Sequence, residues 1–348
     1  MKILIASDGL HAHYFQRQSW LRAFNECGIE ASFWHCKEVS AFDAFDTFEP
    51  DIFLGQSYNL DSPLIKCIYE RPHLKVGLRA GDWGDFEADP RFNVLYSSEK
   101  EKDILKKLKD ETGKPDFVHI HYDQYAVDQT HSKFKSIGID AKSLIMCANV
   151  HEYVTPMFDE DLSCDIGFLG GYWPYKGIII DRYLTPLLYP IDKYNVKIFG
   201  NQPWPNANQY CGYLADEKAK DLFVSAKICP NLSEPHAHEF GFDINERCFK
   251  ILCAGGFCIS DNIEGISKIF NGNGVVFADS PDDFKEKIDY YLSHEEERKE
   301  IATTGRKFIL DNHTSFHRVA QILGYFGYEQ EAQNIIKGWN QAKEHIDV

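Results

Sequence analysis

Residues 242–261, "FDINERCFKILCAGGFCISD", contain a helix, a glycine pair and a short strand in succession. Ile244, Cys248, Ile251 and Leu252 recur at helical spacing and mark a buried stripe. Asp243 and Glu246 fit a capping box, which places the helix start near Asp243. "GFCISD" then reads as a strand, so the stretch is one helix-to-strand unit of a parallel sheet. Arg247 and Lys250, three apart and on one face, lie in the first two turns. A cation there opposes the helix dipole at a cost of roughly 0.3–1 kcal/mol. Either the neighbouring acids Asp243 and Glu246 offset these cations, or an anion belongs at this helix start.

The same alternation runs outward in both directions. Before it, "KILIAS", "EASFWH", "PDIFLGQ", "LKVGLRAG", "FNVLYSS", "DFVHIHY" and "KSLIMCA" read as strands, with helices expected near 15–27, 61–71, 98–110 and 124–137. The polar stretch 150–165, with Pro156, reads as a linker. A second series follows: "CDIGFLGGY", a helix near 178–194, "VKIFGN", a helix over 216–226, "KICPNL", the opening helix, "GFCISD", a short helix over 263–270 and "GVVFAD". Helices near 281–293, 294–311, 315–326 and 328–344 close the chain. The expected fold is α/β: two doubly wound parallel-sheet domains in series, facing across a cleft. Their expected bounds are 1–155 and 156–325, with a C-terminal helix over 326–348 packing back on the first domain.

Length and charge narrow the function classes. At 348 residues the chain is long for one core, and two domains are expected. No apolar run is long enough to span a bilayer, and "MKILIASDGL" reads as a first strand rather than a signal peptide. The ten cysteines form no CxxC pair, the pattern of reduced thiols in a cytoplasmic protein. A net charge of −16 argues against a general nucleic-acid binder, although it leaves room for one basic cleft.

Ligands of such sheets sit at the carboxyl ends of strands. There the second half offers Gly170 and Gly171 after one strand, and Gly200 and Asn201 after another. Adjacent glycines let backbone amides approach an anion, although they also serve an ordinary tight turn. With Arg247 and Lys250 at a helix start, these three features suit a diphosphate. In the first half "LRAGDWGDF" supplies Asp82 and Asp85, and "SDGLHAHY" supplies Asp8, His11 and His13. Asp82 or His11 could act as base toward an acceptor hydroxyl; a turn aspartate or a surface histidine is the plainer reading of each. His236, His238 and Glu239 in "SEPHAHEFGFD" lack a second ligand group at recognisable spacing, so no metal site is assigned. That loop and "NQPWPNANQY", with Trp204, are read as ligand-covering or rim loops.

Asn245, Arg247, Phe249, Gly255, Gly256, Asp261, His313, Thr314 and Arg318 together resemble the pattern of the CgeB-like (spore-maturation) glycosyltransferases over roughly 240–325. The resemblance implies the GT-B fold, with a nucleotide-sugar donor on the C-terminal Rossmann-like domain and the acceptor on the N-terminal one. "DIGFLGG", "VKIFGN" and "NERCFK" are also distantly similar to donor-lining stretches of the phage DNA β-glucosyltransferases, and Asp82 falls near the carboxylate that family uses as base. One departure matters: Lys250 stands where the CgeB-like family carries a Glu that accepts from ribose hydroxyls, and an ammonium has no acceptor.

These readings combine into an expected function: transfer of a sugar from a nucleoside-diphosphate donor, with a UDP-sugar expected, to a hydroxyl of a glycan, protein or modified DNA base. Expected donor contacts are Gly170, Gly171, Gly200, Asn201, Asn245, Arg247 and Lys250. The base is Asp82 or His11 if configuration inverts. No cofactor beyond the donor is indicated, and a divalent metal is left open. The alternatives are a glycosyltransferase acting on hydroxymethylated DNA bases, a non-catalytic sugar-nucleotide binder and a UDP-sugar epimerase.

Overall fold

The computed structural model describes residues 1–7, 12–81, 98–205 and 207–346. The expected strand "FNVLYSS" lies outside them but for Ser98, which begins the helix Ser98–Thr112, and Asp8, His11, Asp82 and Asp85 lie outside them too. The chain divides into two compact units, Met1–Ile145 with Ser315–Asn340 and Met146–Thr314 with Gln341–Val348.

The first unit holds a six-stranded parallel sheet of β1 (Lys2–Ser7), β2 (Glu30–His35), β3 (Ile52–Gln56), β4 (Lys75–Arg79), β5 (Phe117–Ile120) and β6 (Asp140–Ser143), in the order β2-β1-β3-β4-β5-β6. The second holds β7 (Cys164–Leu169), β8 (Val196–Phe199), β9 (Ala226–Asn231), β10 (Cys258–Asp261) and β11 (Val275–Ala278), in the order β11-β10-β9-β7-β8. All of these pairings are parallel. Both sheets are doubly wound: the chain leaves β1 and β7 to one side, then returns to build outward on the other. Each therefore has a switch point, beside β1 and β3 in the first and beside β7 and β9 in the second.

Parallel strands covered on both faces must be apolar throughout, which is why these runs stand out in the sequence. β1 is buried from Ile3 to Ser7. In the second unit Ile166 and Phe168 of β7 and Val196 and Ile198 of β8 share a core with Ile179, Ile180, Phe284 and Ile288. Each such side chain contributes about 1.5–3 kcal/mol when fully buried.

Several expected boundaries shift for local reasons. The helix expected near 178–194 spans Pro174–Tyr183, with Pro174 in its first turn, where a missing N–H costs nothing. The expected helix 124–137 is two pieces, Gln124–Thr130 and Ser132–Lys135, separated at His131. "KSLIMCA" contributes strand only to Ser143, and 216–226 becomes a short 3-10 turn followed by the helix Ala219–Ser225. Helices at Ala41–Phe48 and Pro235–Phe240 were not anticipated. The stretch read as a linker is tied into the second unit: Met157 N–H donates to Asp221 Oδ1 (2.8 Å) and Asp159 N–H to Ser225 Oγ (2.8 Å). Residues 315–325, grouped above with the second half, pack with the first unit, where the helix Ser315–Tyr325 lies against the helix Ala12–Glu26. Tyr325 donates to the Ser143 carbonyl (2.5 Å), and Phe316 stacks on Trp339 of the last long helix.

The opening stretch starts its helix later than its charges suggest. It spans Arg247–Ala254, and no side chain caps it. Asp243 instead faces His236 at 3.2 Å, so the expected capping box does not form. The helix ends in a Schellman motif: Gly255 N–H reaches the Leu252 carbonyl (3.0 Å) and Gly256 N–H the Ile251 carbonyl (2.9 Å). Gly255 has φ +87°, and a Cβ on Gly256 would stand 2.4 Å from the Phe223 carbonyl oxygen. The pair is therefore unequal. Gly255→Ala should cost about 1 kcal/mol through left-handed strain. Gly256→Ala should cost more, roughly 2–3 kcal/mol, because backbone must move. Urea denaturation of both variants measures that order.

Candidate functional site

The second unit's switch point gathers most of the expected donor residues at the carboxyl ends of its strands. Phe168 and Leu169 end β7 and run into Gly170 and Gly171, and Gly200 and Asn201 follow β8. A Cβ on Gly200 would meet the Gly170 carbonyl oxygen at 2.5 Å, so only glycine lets the two strand-end loops lie this close. A Cβ on Gly171 would stand 3.0 Å from Asn201 Oδ1. Trp204 Nε1 donates to the Gly170 carbonyl (3.0 Å), with its ring buried against Phe168. The rim loop therefore fixes the turn after β7 from beneath.

Arg247 reaches into this corner from the first residue of its helix. Its guanidinium lies over the Phe168 ring, 4.9 Å from the centroid. Nε donates to the Leu169 carbonyl at 3.3 Å and Nη1 to the Leu232 carbonyl at 3.4 Å. Nη2 would touch a Cβ on Gly170 at 3.0 Å. Both hydrogen bonds are long for N–H···O, whose usual range ends near 3.2 Å. Burial lowers the Arg247 pKa, yet an arginine starts high enough to stay charged. The result is a planar cation held loosely by two strand-end carbonyls, with donors left for a stronger acceptor. Asn245 supports its start: Oδ1 accepts from Arg247 N–H at 3.2 Å.

Lys250 goes elsewhere. Its ammonium pairs with Glu246 at 2.5 Å and lies 5.9 Å from the Tyr153 ring centroid. Burial alone would lower its pKa, but Glu246 and Tyr153 outweigh that and raise it. Arg247 and Lys250 therefore share a helix face in sequence but serve different neighbours.

Two charged residues that sequence reasoning missed complete the corner. Lys176, in the helix after the glycine loop, is buried beside the Trp173 ring at 5.2 Å. Burial first, and then the Arg247 charge, push its pKa down to about 7. Glu234, just past β9, is raised by burial against the opposing pull of Lys176. The available signal was Pro174, which marks a helix start directly after the glycine pair and places Lys176 in its first turn.

The histidine loop is built into this frame. His238 Nε2 lies 2.7 Å from Asp261 Oδ2, and the fully buried Asp261 also accepts from Ser233 N–H (2.9 Å) and Oγ (3.0 Å). Tyr175 OH bonds His236 Nδ1 (3.0 Å) and accepts from His236 N–H (3.0 Å). Among the described residues no group of three His, Cys, Asp or Glu is placed to hold a metal ion. No helix among them is long and apolar enough to cross a membrane.

The first unit's carboxyl edge carries a different set. Glu101 Oε1 accepts from Ser57 Oγ and from Gly81 N–H (2.7 Å). Arg79 ends β4, and burial lowers its pKa although Tyr58 and Glu101 oppose that shift. His119 of β5 is held neutral, first by burial and then by Arg79 and Arg17. His13, in the first helix, lies 5.8 Å from His121 ring to ring. Asp82 and His11 fall outside the described residues.

Residues 182–324 match a family model described as "Glycosyl transferase-like", a span that includes Gly200, Asn201 and Arg247. Among curated proteins none matches the sequence. Solved structures do match in shape. Sucrose-phosphate synthase from Thermosynechococcus elongatus superposes with a TM-score of 0.66 at 10% identity, covering 95% of this chain and 100% of that one. HepE from Anabaena in complex with UDP gives 0.62 at 11% identity, covering 94% and 100%. A T4 phage BGT mutant in complex with UDP-glucose gives 0.55 at 13% identity, covering 100% of both chains. At such identities the likeness is one of fold: the chain has the GT-B architecture of two Rossmann-like parallel-sheet units.

The buried ammonium has a measurable consequence. Between about pH 7 and its ordinary 10.5, the unfolded chain binds the Lys176 proton that the folded protein releases. Its destabilising effect is therefore full below pH 7 and fades as pH rises toward 10.5. Lys176→Met should raise the thermal midpoint by a few degrees at pH 6 and by less at pH 9, as read by calorimetry.

Proposed function

We propose that this protein transfers a sugar from a nucleoside-diphosphate sugar, a UDP-sugar, to a hydroxyl acceptor. The observation that carries the reading is the meeting of Arg247, Lys176 and the Gly170–Gly171 turn at one switch point, with the Arg247 guanidinium on two long bonds to carbonyls. A diphosphate there would take charge-assisted hydrogen bonds from the guanidinium in place of those bonds. It would also return the proton that burial strips from Lys176. The glycosyl transferase-like match over 182–324 and the fold shared with structures holding UDP-glucose or UDP support the same assignment. The Asn245, Arg247 and Phe249 pattern favours the CgeB-like group within it.

In the reaction, the bond from the sugar's anomeric carbon to the diphosphate breaks and negative charge grows on the leaving group. Arg247 and Lys176 stabilise that charge as fixed groups that need not reorganise, the arrangement from which electrostatic catalysis gains most. Gly171 and Asn201 line the approach, and Gly200 keeps it open. Lys250 contributes through its pair with Glu246, whose carboxylate supplies the ribose acceptor that an ammonium lacks. Asp82, or His11 in its place, takes the acceptor proton if configuration inverts; retention needs no such base. The donor is the only cofactor in this scheme.

Thermal-shift titration with UDP tests the site. Wild-type protein at UDP one hundred times its Kd should gain about 2.7 kcal/mol, a shift of several degrees. Arg247→Ala should lose nearly all of it while retaining its fold by circular dichroism. A full shift in Arg247→Ala, or the absence of a shift with any nucleoside diphosphate, would overturn the assignment.

A further inference from the structure

β3, β4 and β5 pair in register so that Gln56 stands opposite Arg79, and Arg79 opposite His119. In-register residues of neighbouring parallel strands point to one face, about 4.8 Å apart. The three therefore form a polar row across the carboxyl edge of the first sheet. Gln56 is fully inaccessible, and neither its amide oxygen nor its amide nitrogen has a hydrogen-bond partner. A buried amide with both functions unmet is rare in a folded protein, and it marks a place where a ligand supplies the partners.

The surroundings say what kind of ligand. Arg79 lies deep in the unit while keeping part of its surface accessible. Arg17 approaches from the first helix, with Nη1 donating to the Ala6 carbonyl (3.1 Å). His119, between them, adds no charge. Among the described residues Tyr58 and Glu101 act on the Arg79 charge, and Glu101 also accepts from Ser57 Oγ and Gly81 N–H. Guanidinium N–H groups and the Gln56 NH₂ are donors that suit an oxyanion, while the Gln56 carbonyl requires a donor such as a hydroxyl.

We infer that the carboxyl edge of the first sheet is an oxyanion site, contacted first by Arg79 and the Gln56 amide, that selects acceptors whose hydroxyl stands beside a carboxylate or a phosphate. The word acceptor rests on the sugar-transfer reading above; the oxyanion site itself does not. The two fail separately in one experiment. Full-length protein labelled with ¹⁵N-arginine gives an Nε–H signal for Arg79 and another for Arg247, assigned through Arg79→Lys and Arg247→Lys. UDP is added first, and the Arg247 signal reports the donor site alone. Acetate and inorganic phosphate are then titrated at constant ionic strength, with chloride as the control.

The inference expects the Arg79 signal to move saturably with acetate or phosphate and not with chloride. The tighter of the two distinguishes a carboxylate from a phosphate acceptor. Gln56→Leu should weaken that binding at least tenfold while its UDP response stays that of wild type. An Arg79 signal that does not saturate, or that Gln56→Leu leaves unchanged, overturns the oxyanion site whatever Arg247 does. A silent Arg247 signal under UDP counts against the donor reading instead. Should Gln56→Leu not fold, the wild-type titration decides by itself.

Discussion

The second unit is organised around one guanidinium lodged between the ends of two strands. Arg247 lies on Phe168 of β7 and donates to the carbonyls of Leu169, which ends β7, and Leu232, which follows β9. Parallel strands leave their carboxyl-end carbonyls pointing the same way, and at a switch point no helix covers the gap between them. A side chain filling that gap must be flat, donate in several directions and stay charged. Arginine meets all three conditions, and a lysine would not. The glycines at 170, 171 and 200 and the Trp204 indole follow from it, since they let the neighbouring loops close around a planar group.

This arrangement is strained in electrostatic terms. Two cations share a buried corner in which Glu234, Asp261 and Asp243 only partly offset them, and burial pushes Glu234 itself toward the neutral form. Lys176 yields first, its pKa falling to about 7, because an ammonium can release a proton and a guanidinium cannot. Perturbed groups of this kind collect at functional sites. The same logic applies in a milder form to Gln56, whose unmet amide lies at the corresponding edge of the other sheet.

Much of the architecture was legible because parallel strands buried on both faces have little choice but to be apolar. "KILIAS" and "EASFWH" match β1 and β2 residue for residue, and "CDIGFL" matches β7. The clustering of Gly170, Gly171, Gly200 and Asn201 followed from their lying at strand ends of one sheet, and Arg247 joins them from a helix start. The helix start at 243 misled because Asp243 mimics a cap, while its actual partner is His236 in the preceding helix. Lys176 was hidden for a different reason. Its sequence neighbours are aromatic and aliphatic, and the charges that perturb it, Arg247 and Glu234, lie more than fifty residues away along the chain. Gln56 likewise looks like an ordinary polar residue closing a strand until its lack of partners is seen in three dimensions.

A crystal structure of the protein with UDP decides whether Arg247 is the diphosphate contact. Both phosphate groups are expected beside the Gly170–Gly171 turn, with the guanidinium turned from the Leu169 and Leu232 carbonyls to phosphate oxygens at about 2.7–2.9 Å, the range of charge-assisted bonds. UDP bound elsewhere, with Arg247 still donating to both carbonyls, would contradict it.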